Sequence, residues 1–465
     1  MTRKKNLPIL HHIEVADIAA EGKAIARVEG KVLFIPMTIP GDIIDVQIIR
    51  KKKSFMEGKP VVFHKYSEKR VNAFCSHFGH CGGCSWQHLK YEEQLKAKQQ
   101  QVYDQLERIG KLALSDKQPI ESSDKTMYYR NKMEFTFSDK RWFPSLEEKR
   151  SDNTKALGFH VPRHFDKVLD IENCYLQADP SNDIRKCIKN FALQQGYSFF
   201  DLRSRQGWLR NLVVRNSSTG GLMVIVVFFY DDIPSIMVLL EHMKKEFPMI
   251  TSLYYIINTK RNDSYADLDA VLFSGDKYIK ETIDDLFFYV GPKSFFQVNV
   301  PQAAKIYAYI KQCLQLQGNE ILYDLYTGTG TIAIYLARSC KKVVGMEYVK
   351  DAVNDAILNA AANNIQNAVF LAGDIKNIFS ETTFSEHGTP DVVILDPPRA
   401  GIHADVAKAL LAVVPQKIVY VSCNPATQAR DVQLLTQAYD VTHVRPFDMF
   451  PHTHHVENVI VLNKR

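Results

Sequence analysis

The last third of the sequence alternates short apolar strands with helical stretches, and this pattern constrains the fold more than any other feature. The strand-like segments read ILYDLY, VVGMEY, AVFLAGD, DVVILDPP, KIVYVSC and VENVIVLN, and stretches such as IAIYLARS and DAVNDAILNAAANN lie between them. Such alternation is typical of a parallel sheet covered by helices. Residues 291–465 are therefore predicted to form a Rossmann-like α/β domain.

Acidic residues and glycines follow the first three of these strands. The first strand enters the loop Asp324–Gly330, whose glycines let a ligand approach the backbone closely. Glu347 ends the second strand, where it can bind ribose hydroxyls, and Asp374 ends the third, where it can bind an adenine amino group. A dinucleotide fingerprint needs a third glycine at residue 333, which is alanine. The acids fit S-adenosylmethionine better than NAD; the alternative is an ordinary tight turn.

Two further strand ends carry groups that suit covalent catalysis. The fourth strand ends in Asp396-Pro-Pro-Arg399, and the fifth ends in Ser-Cys423-Asn-Pro. A cysteine thiolate is a strong nucleophile, and Glu457, at the entry to the last strand, can act as a general base. The alternatives are a small buried thiol and a surface acid. Enzymes that methylate exocyclic amino groups typically have an aromatic residue where this chain has Arg399.

A nucleophilic cysteine, a base and S-adenosylmethionine together select one reaction. Carbon 5 of uracil is a poor nucleophile until a thiolate adds to carbon 6 and converts the ring to an enolate. Carbon 5 then attacks the methyl group, the base removes the carbon 5 proton, and elimination returns the thiol. Methylation of an amino group needs neither the covalent cysteine nor this base. The sequence therefore predicts methylation of pyrimidine carbon 5.

The N-terminal residues differ from the rest of the chain in their predicted secondary structure and in their charge. Short strands separated by glycines fill residues 9–66, and residues 1–66 carry 12 Lys and Arg against 7 Asp and Glu. Small β-barrels of this type often bind single-stranded nucleic acid through a basic face. We predict an OB-like β-barrel over residues 1–66 and an α+β central domain over 67–290. A helix over 89–109 is expected to pack on the C-terminal domain.

Four of the eight cysteines have the spacing of a metal site. Cys75, Cys81 and Cys84 lie close together among glycines, and Cys174 follows much later. Four thiolates suit either zinc or an iron–sulfur cluster, although structural zinc usually uses two close pairs. No apolar run reaches the length of a membrane span, and the N-terminus has no apolar core of signal-peptide length, so we expect a cytoplasmic protein with reduced thiols.

Together these motifs resemble those of the RNA uracil-5-methyltransferases of the RumA/TrmA family. The resemblance runs from a TRAM-like segment, EGKAIARVEGKVLFIPMTIPGDIIDV, through SFFQVN, DLYTGTGT, LDPPRAG and VSCNP to HHVENV, nearly the whole chain. It implies Cys423 as nucleophile and Glu457 as general base. It implies cofactor contacts from Gln297, Tyr326, Thr331, Glu347, Asp374 and Asp396. The common family version has Cys where this chain has Thr327, a change beside the cofactor.

The resemblance also bears on the cysteines and on the RNA. RumA-like members carry a [4Fe–4S] cluster at positions that match Cys75, Cys81, Cys84 and Cys174, which favours a cluster over zinc. The TRAM-like barrel and the cluster indicate 23S ribosomal RNA of the large subunit as the substrate. The expected fold is a multi-domain α/β protein with a class I methyltransferase domain. Other functions remain open: the same chemistry on tRNA, a non-catalytic RNA-binding or ribosome assembly factor, an amino-group methyltransferase, or a redox sensor.

Overall fold

The computed structural model describes residues 7–145 and 153–465, and its N-terminal part is a six-stranded sheet. Its strands are β1 (Ile9–Glu14), β2 (Asp17–Ile18), β3 (Ala24–Val28), β4 (Lys31–Ile35), β5 (Ile43–Lys51) and β6 (Phe55–Lys65). They pair in the order β1-β5-β6-β4-β3-β2, which leaves β1 and β2 at the edges of the part described. Leu33, Ile44 and Val46 are buried in a small core of their own. This core makes the N-terminal sheet a separately packed unit.

A long helix links the cysteine-containing segment to the C-terminal domain. This helix, α1 (Tyr91–Arg108), begins with acidic residues in its first turn and ends near Gly110. Val102 and Leu106 on its buried side belong to the same apolar core as Val432 of the C-terminal domain. The packing fixes the cysteine segment relative to the C-terminal sheet.

The middle of the chain is built on an eight-stranded mixed sheet. Its strands are β7 (Lys132–Ser138), β8 (Arg141–Trp142), β9 (Ala156–Val161), β10 (His164–Asp170), β11 (Leu209–Asn216), β12 (Leu222–Phe228), β13 (Ser252–Ile257) and β14 (Ala270–Gly275). The order is β14-β13-β12-β11-β7-β9-β10-β8. Helices α2 (Ser181–Gln194) and α3 (Ile233–Glu246) pack against it. Alternate residues of β12 share a core with the C-terminal domain, so the two domains are joined by apolar packing.

A hairpin just before the C-terminal domain is docked on a helix of that domain. Its strands are β15 (Ile279–Ile283) and β16 (Leu286–Val290). The backbone N–H groups of Phe287 and Tyr289 donate to the Asn363 and Asn359 side chains, at 2.8 and 2.7 Å. These amides therefore hold the hairpin against the C-terminal domain.

The C-terminal domain is a seven-stranded sheet with helices on both faces. Its strands are β17 (Ile321–Leu325), β18 (Lys342–Glu347), β19 (Ala368–Ala372), β20 (Val392–Leu395), β21 (Lys417–Ser422), β22 (Tyr439–Phe447) and β23 (Glu457–Lys464). Its helices are α4 (Val300–Leu314), α5 (Thr331–Ala337), α6 (Lys350–Ala362), α7 (Ile375–Ile378), α8 (Glu381–His387), α9 (Ala404–Val413) and α10 (Pro425–Leu435). The order is β19-β18-β17-β20-β21-β23-β22, and all strands run in the same direction except β23, which is antiparallel to both of its neighbours.

This topology determines where a ligand can bind. The chain leaves β17 in one direction to reach β18 and β19, and returns to its other side for β20 and β21. Ligands of open α/β sheets bind outside the carboxyl ends of strands at such a switch point. The predicted multi-domain α/β fold with a Rossmann-like domain is confirmed. Among the described residues, no helix has the length and apolar character needed to cross a membrane.

Candidate active site

The loop after β17 forms one wall of the switch point. Tyr326 adopts a positive φ of 67° and Gly330 a φ of 80°, and a Cβ atom at Gly330 would lie 3.0 Å from Ala356. The Gly328 N–H donates to Glu347 at 3.2 Å. The loop therefore folds tightly over the ends of β17 and β18. Glu347, at the end of β18, is fixed there by the loop itself.

A buried carboxylate at the end of β17 holds this loop through hydrogen bonds. Asp324 is 1% exposed and accepts hydrogen bonds from the Thr327 hydroxyl at 2.6 Å and the Ala333 N–H at 3.1 Å. Burial raises the pKa of Asp324 to about 7. Thr327 replaces the common cysteine of the resembling family, and here its hydroxyl donates to Asp324. Sequence reasoning placed Asp324 at the start of the loop and missed this supporting role.

The other predicted cofactor residues lie around the same edge. Asp374 follows β19 and caps α7, where its carboxylate accepts from the Lys376 N–H at 3.3 Å. Thr331 begins α5, and its hydroxyl lies 3.1 Å from the hydroxyl of Tyr307. Gln297 lies in the segment before α4, and its backbone carbonyl accepts from Asn131 at 3.1 Å.

The segment that contains Gln297 is bound to the glycine loop. The Thr329 hydroxyl donates to the Phe295 carbonyl at 3.3 Å. The Phe295 ring is 69% exposed, whereas Phe296 and Phe447 are buried. Of these three aromatics, Phe295 is therefore the one free to stack on a base.

The two predicted catalytic side chains follow from the register of neighbouring strands. Strands β21 and β23 are antiparallel and pair Ser422 with Asn458. Cys423 comes directly after Ser422, and Glu457 directly before Asn458, so the two lie at the same edge. Asp396 follows β20, the parallel neighbour of β21. The fold thus brings the three residues together although they are far apart in sequence.

Burial perturbs all three groups. The pKa of Glu457, which is 7% exposed, is raised well above the usual carboxyl range by burial and then by Asp396. Burial raises the pKa of Asp396 to about 7. The pKa of Cys423 rises to about 11 through burial and the charge of Glu457. Clusters of buried groups with shifted pKa values are typical of catalytic sites.

Arg399 opposes two of these shifts, and sequence reasoning did not include it among the site residues. Its guanidinium lowers the pKa of both Cys423 and Glu457. Its backbone carbonyl accepts from Asn424 at 3.0 Å and from Thr427 at 3.1 Å, which fixes the loop after β20. The signal in the sequence was the charged residue that follows Asp-Pro-Pro where an aromatic residue would be usual.

The N-terminal sheet reaches the loop that leads to Glu457. Gly22 lies in the turn between β2 and β3 with a φ of 77°, and its carbonyl accepts from the Trp86 indole at 2.9 Å. A Cβ atom at Gly22 would lie 2.7 Å from the Cβ of His454. His454 precedes Glu457 by three residues, so the turn packs directly beside the catalytic edge.

The four predicted metal-ligating cysteines converge on one cavity. Cys75, Cys81, Cys84 and Cys174 all line a cavity of about 750 Å³. Burial and the neighbouring sulfurs raise the pKa of Cys81 to about 12 and that of Cys84 to about 11. Four thiols that line one cavity fit a metal centre, which requires thiolates and would stabilise them.

The same cavity has a basic wall. Arg130, Lys132 and Arg215 line it, and Arg215 is 5% exposed. Arg215 donates to the Ser294 carbonyl at 2.5 Å, while its Nε atom has no hydrogen-bond partner among the described residues. Cys423 and Glu457 do not line this cavity. The cavity therefore offers an anion-attracting surface next to the cysteines and not at the catalytic edge itself.

Comparison with known proteins agrees with this site. Residues 271–465 match the family described as tRNA (Uracil-5-)-methyltransferase, and residues 12–61 match the TRAM domain. An uncharacterized RNA methyltransferase of Bacteroides thetaiotaomicron is 51% identical over 454 residues, covering 96% of this chain and all of that protein. One from Porphyromonas gingivalis is 49% identical, covering 97% of this chain and 99% of that protein.

A solved structure extends the similarity to three dimensions. It is the tRNA (uracil-54, C5)-methyltransferase of Pyrococcus abyssi in complex with S-adenosyl-L-homocysteine, which has a TM-score of 0.77 and 28% identity. The match covers 97% of this chain and all of that one. The fold and site thus define a class I RNA methyltransferase. More particularly, the chain belongs to the RNA (uracil-5-)-methyltransferase family with an N-terminal TRAM domain. The resemblance noted in the sequence is confirmed at this level.

Proposed function

We propose that this enzyme methylates carbon 5 of a specific uridine in 23S ribosomal RNA through a covalent adduct with Cys423. The observation that carries the proposal is the register of β21 and β23, which sets a cysteine and a buried glutamate at one edge beside the switch point. S-Adenosylmethionine, when bound, supplies an electrophilic methyl group. Ribosomal RNA as substrate places the reaction in the cytoplasm.

The first step belongs to Cys423. Its sulfur bonds to carbon 6 of the uracil, and the electron pair of the carbon 5–carbon 6 double bond moves toward the carbonyl at carbon 4. The thiol must first lose its proton, although burial holds its pKa near 11. Arg399 lowers that pKa and therefore favours the thiolate. Asp396, whose pKa is about 7, can donate a proton or hydrogen bond to the developing enolate.

The last step belongs to Glu457. After carbon 5 has gained its methyl group, the Glu457 carboxylate takes the carbon 5 proton, the double bond reforms, and the bond between sulfur and carbon 6 breaks. Burial raises the pKa of Glu457, which makes its carboxylate a stronger base than an exposed one. The cysteine leaves as a thiolate, ready for the next turnover.

The cofactor is assigned to the residues around the glycine loop. We propose contacts from Gln297, Tyr326, Thr331, Glu347, Asp374 and Asp396. The support is their common position at the carboxyl ends of β17, β18, β19 and β20 and in the segments tied to them. Glu347 and Asp374 are placed to receive ribose and adenine, and the tight loop leaves room for the amino acid part.

A nucleoside assay tests the reaction. Purified protein is incubated with labelled S-adenosylmethionine and either unmodified 23S ribosomal RNA or bulk tRNA, and the nucleosides are analysed. We expect 5-methyluridine in ribosomal RNA and none after Cys423→Ala. Equal activity of that variant would contradict the covalent mechanism and support an amino-group methyltransferase. Absence of 5-methyluridine from both RNAs, with tight RNA binding retained, would support a non-catalytic RNA-binding factor.

A transfer RNA substrate is the second candidate. The observation in its favour is the Pyrococcus abyssi relative, whose name specifies uracil 54 of tRNA. The resemblance associates the TRAM domain and the four cysteines with ribosomal RNA, but some members of the family that carry the cluster act on tRNA, and the Pyrococcus abyssi match spans 97% of this chain. Product in tRNA alone would retain the mechanism and replace the proposed substrate.

We also propose that Cys75, Cys81, Cys84 and Cys174 hold a [4Fe–4S] cluster, with zinc as the alternative. A single tetrahedral zinc bound to thiolates at 2.3 Å sets the sulfurs about 3.8 Å apart. No three of these cysteines form a group with all donor atoms within 4.8 Å, a search limited to the described residues. The wider spread supports a multinuclear centre. Iron, sulfide and zinc analysis of anaerobically purified protein distinguishes the two.

A further inference from the structure

A β-bulge in the first strand brings two consecutive histidines together with one carboxylate. Successive side chains of a strand normally point to opposite faces. In β1 the pairing with β5 shifts between Leu10 and Ile13, and His12 has a φ of 52°, in the left-handed region. An extra residue in one strand re-aims its side chains. As a result, the His11 ring and the His12 backbone N–H both contact the carboxylate of Asp45 in β5.

Asp45 is the centre of this group. It is 8% exposed and accepts three hydrogen bonds. One carboxylate oxygen accepts from the His12 backbone N–H at 3.0 Å and lies 2.7 Å from Nε2 of His64. The other oxygen lies 2.9 Å from Nδ1 of His11.

The imidazole rings of His12 and His64 are stacked face to face at the surface. Their ring centroids are 4.1 Å apart and the ring planes differ by 10°. One donor atom from each of His12, Asp45 and His64 lies within 4.8 Å of the other two. Two imidazoles and a carboxylate are the ligands that zinc and similar divalent transition metals prefer, at about 2.0–2.2 Å. The two rings would have to turn out of their stacked arrangement for one nitrogen of each to reach the same ion.

We propose that His12, Asp45 and His64 form a second metal site, which takes a divalent transition metal such as Zn²⁺ with one position open to solvent. His11 is a positioning residue, because its ring holds the second oxygen of Asp45. The ligands come from β1, β5 and β6, so a bound ion would clamp the edge strand β1 to the rest of the N-terminal sheet. The proposal does not depend on the reaction that the enzyme catalyses.

Cobalt spectroscopy on the full-length protein tests this site separately from the cysteines. Co²⁺ bound to nitrogen and oxygen gives ligand-field bands without the charge-transfer absorption that thiolate ligands produce. We expect one equivalent of such Co²⁺, displaced by Zn²⁺. His12→Ala and His64→Gln should weaken it by about 100-fold or more, and His11→Ala by about 10–100-fold. His64→Gln retains a side chain that can donate to Asp45, which limits structural damage.

The matched control is His443→Ala. His443 also pairs with a carboxylate, Asp116, at 2.8 Å, but among the described residues this pair belongs to no group of three possible metal ligands. This variant should bind Co²⁺ as the wild type does. Each variant is melted without metal, and added Zn²⁺ should raise the melting temperature of the wild type and of His443→Ala alone. The proposal is overturned if only thiolate-type absorption appears, or if His12→Ala and His64→Gln keep the nitrogen and oxygen bands.

Discussion

Two regions of this protein contain half-buried cysteines, and the surroundings of the proposed nucleophile differ from those of the proposed metal ligands. Cys423 lies close to the carboxyl group of Glu457 and to the guanidinium of Arg399. Neighbouring thiols help to raise the pKa of Cys81, Cys84 and Cys174, while Arg130 lowers that of Cys84 and Cys174. Burial raises the pKa of the thiol in both regions.

The difference lies in what would overcome that raised pKa. At the catalytic edge, Arg399 lowers the pKa of a single thiol, which remains free to bond to carbon. In the cysteine cavity no single cation can ionise four adjacent thiols, whereas a metal centre can, because thiolates are its ligands. Composition alone does not separate the two kinds of cysteine. The groups that surround each sulfur distinguish the proposed nucleophile from the proposed metal ligands.

The largest effect is expected at Cys423. Cys423→Ala should lower methylation by a factor on the order of 10⁴ or more, because no other group can form the bond to carbon 6. Binding of RNA and the content of the metal centre should be unchanged. Cys187→Ala, a half-buried thiol outside both regions, is the matched control and should retain full activity. Quantified 5-methyluridine and filter binding provide the two measurements.

A loss of about 10²–10⁴-fold is expected for Glu457→Gln, because the carbon 5 proton then has no base. The stalled intermediate should accumulate as a protein–RNA adduct on a denaturing gel. In the wild type the rate should fall as the pH is lowered through the raised pKa of Glu457, since the protonated carboxyl cannot accept a proton. This fall in rate at low pH should be absent from the pH–rate profile of Glu457→Gln. Asp440→Asn, an exposed acid on β22, should show neither effect.

Arg399→Ala should reduce the rate at neutral pH on the order of tenfold, because the thiolate of Cys423 loses its stabilising cation. The alkaline part of the pH–rate profile should move to higher pH, and Arg399→Lys should restore part of it. A uniform loss at all pH values would instead mean that Arg399 acts only through the loop it anchors.

The smallest effect on turnover is expected for Cys81→Ser. This substitution should remove iron, or zinc, and lower the melting temperature, while folded protein at saturating RNA loses less activity than any catalytic variant. Cys187→Ser makes the same chemical change outside the cavity and should keep the metal. Loss of activity as large as that of Cys423→Ala, in protein that is still folded, would contradict a purely structural or RNA-positioning role for the centre.

The parts of this structure that follow from strand order could be predicted from the sequence. Residues that end parallel strands must lie at one edge, so Glu347, Asp374, Asp396 and Cys423 share that edge without any knowledge of tertiary contacts. The reaction chemistry then required a base and pointed to Glu457. These residues are at the predicted places in the fold, while their roles remain predictions.

Other features depend on contacts that a linear pattern does not contain. The histidines of β1 contact one carboxylate only because a bulge interrupts the alternation of side chains between the two faces of the strand. Such a bulge has no characteristic amino-acid composition that a sequence pattern could reveal. Arg399 acts on Cys423 through space, from a loop after a different strand. The hairpin β15–β16 is held by two asparagine side chains, Asn359 on α6 and Asn363 at its C-terminal cap, which an apolar pattern cannot reveal.

The turn at Gly22 places the TRAM domain in contact with the loop that precedes Glu457, the proposed general base. A side chain at this position would collide with His454, and Trp86 holds the turn in place from the cysteine segment. An RNA that displaced this turn would also press on the loop that precedes Glu457. A poorly matched RNA could then be held firmly yet methylated slowly, so that selectivity among RNAs would be expressed in turnover and be underestimated by any measurement of affinity.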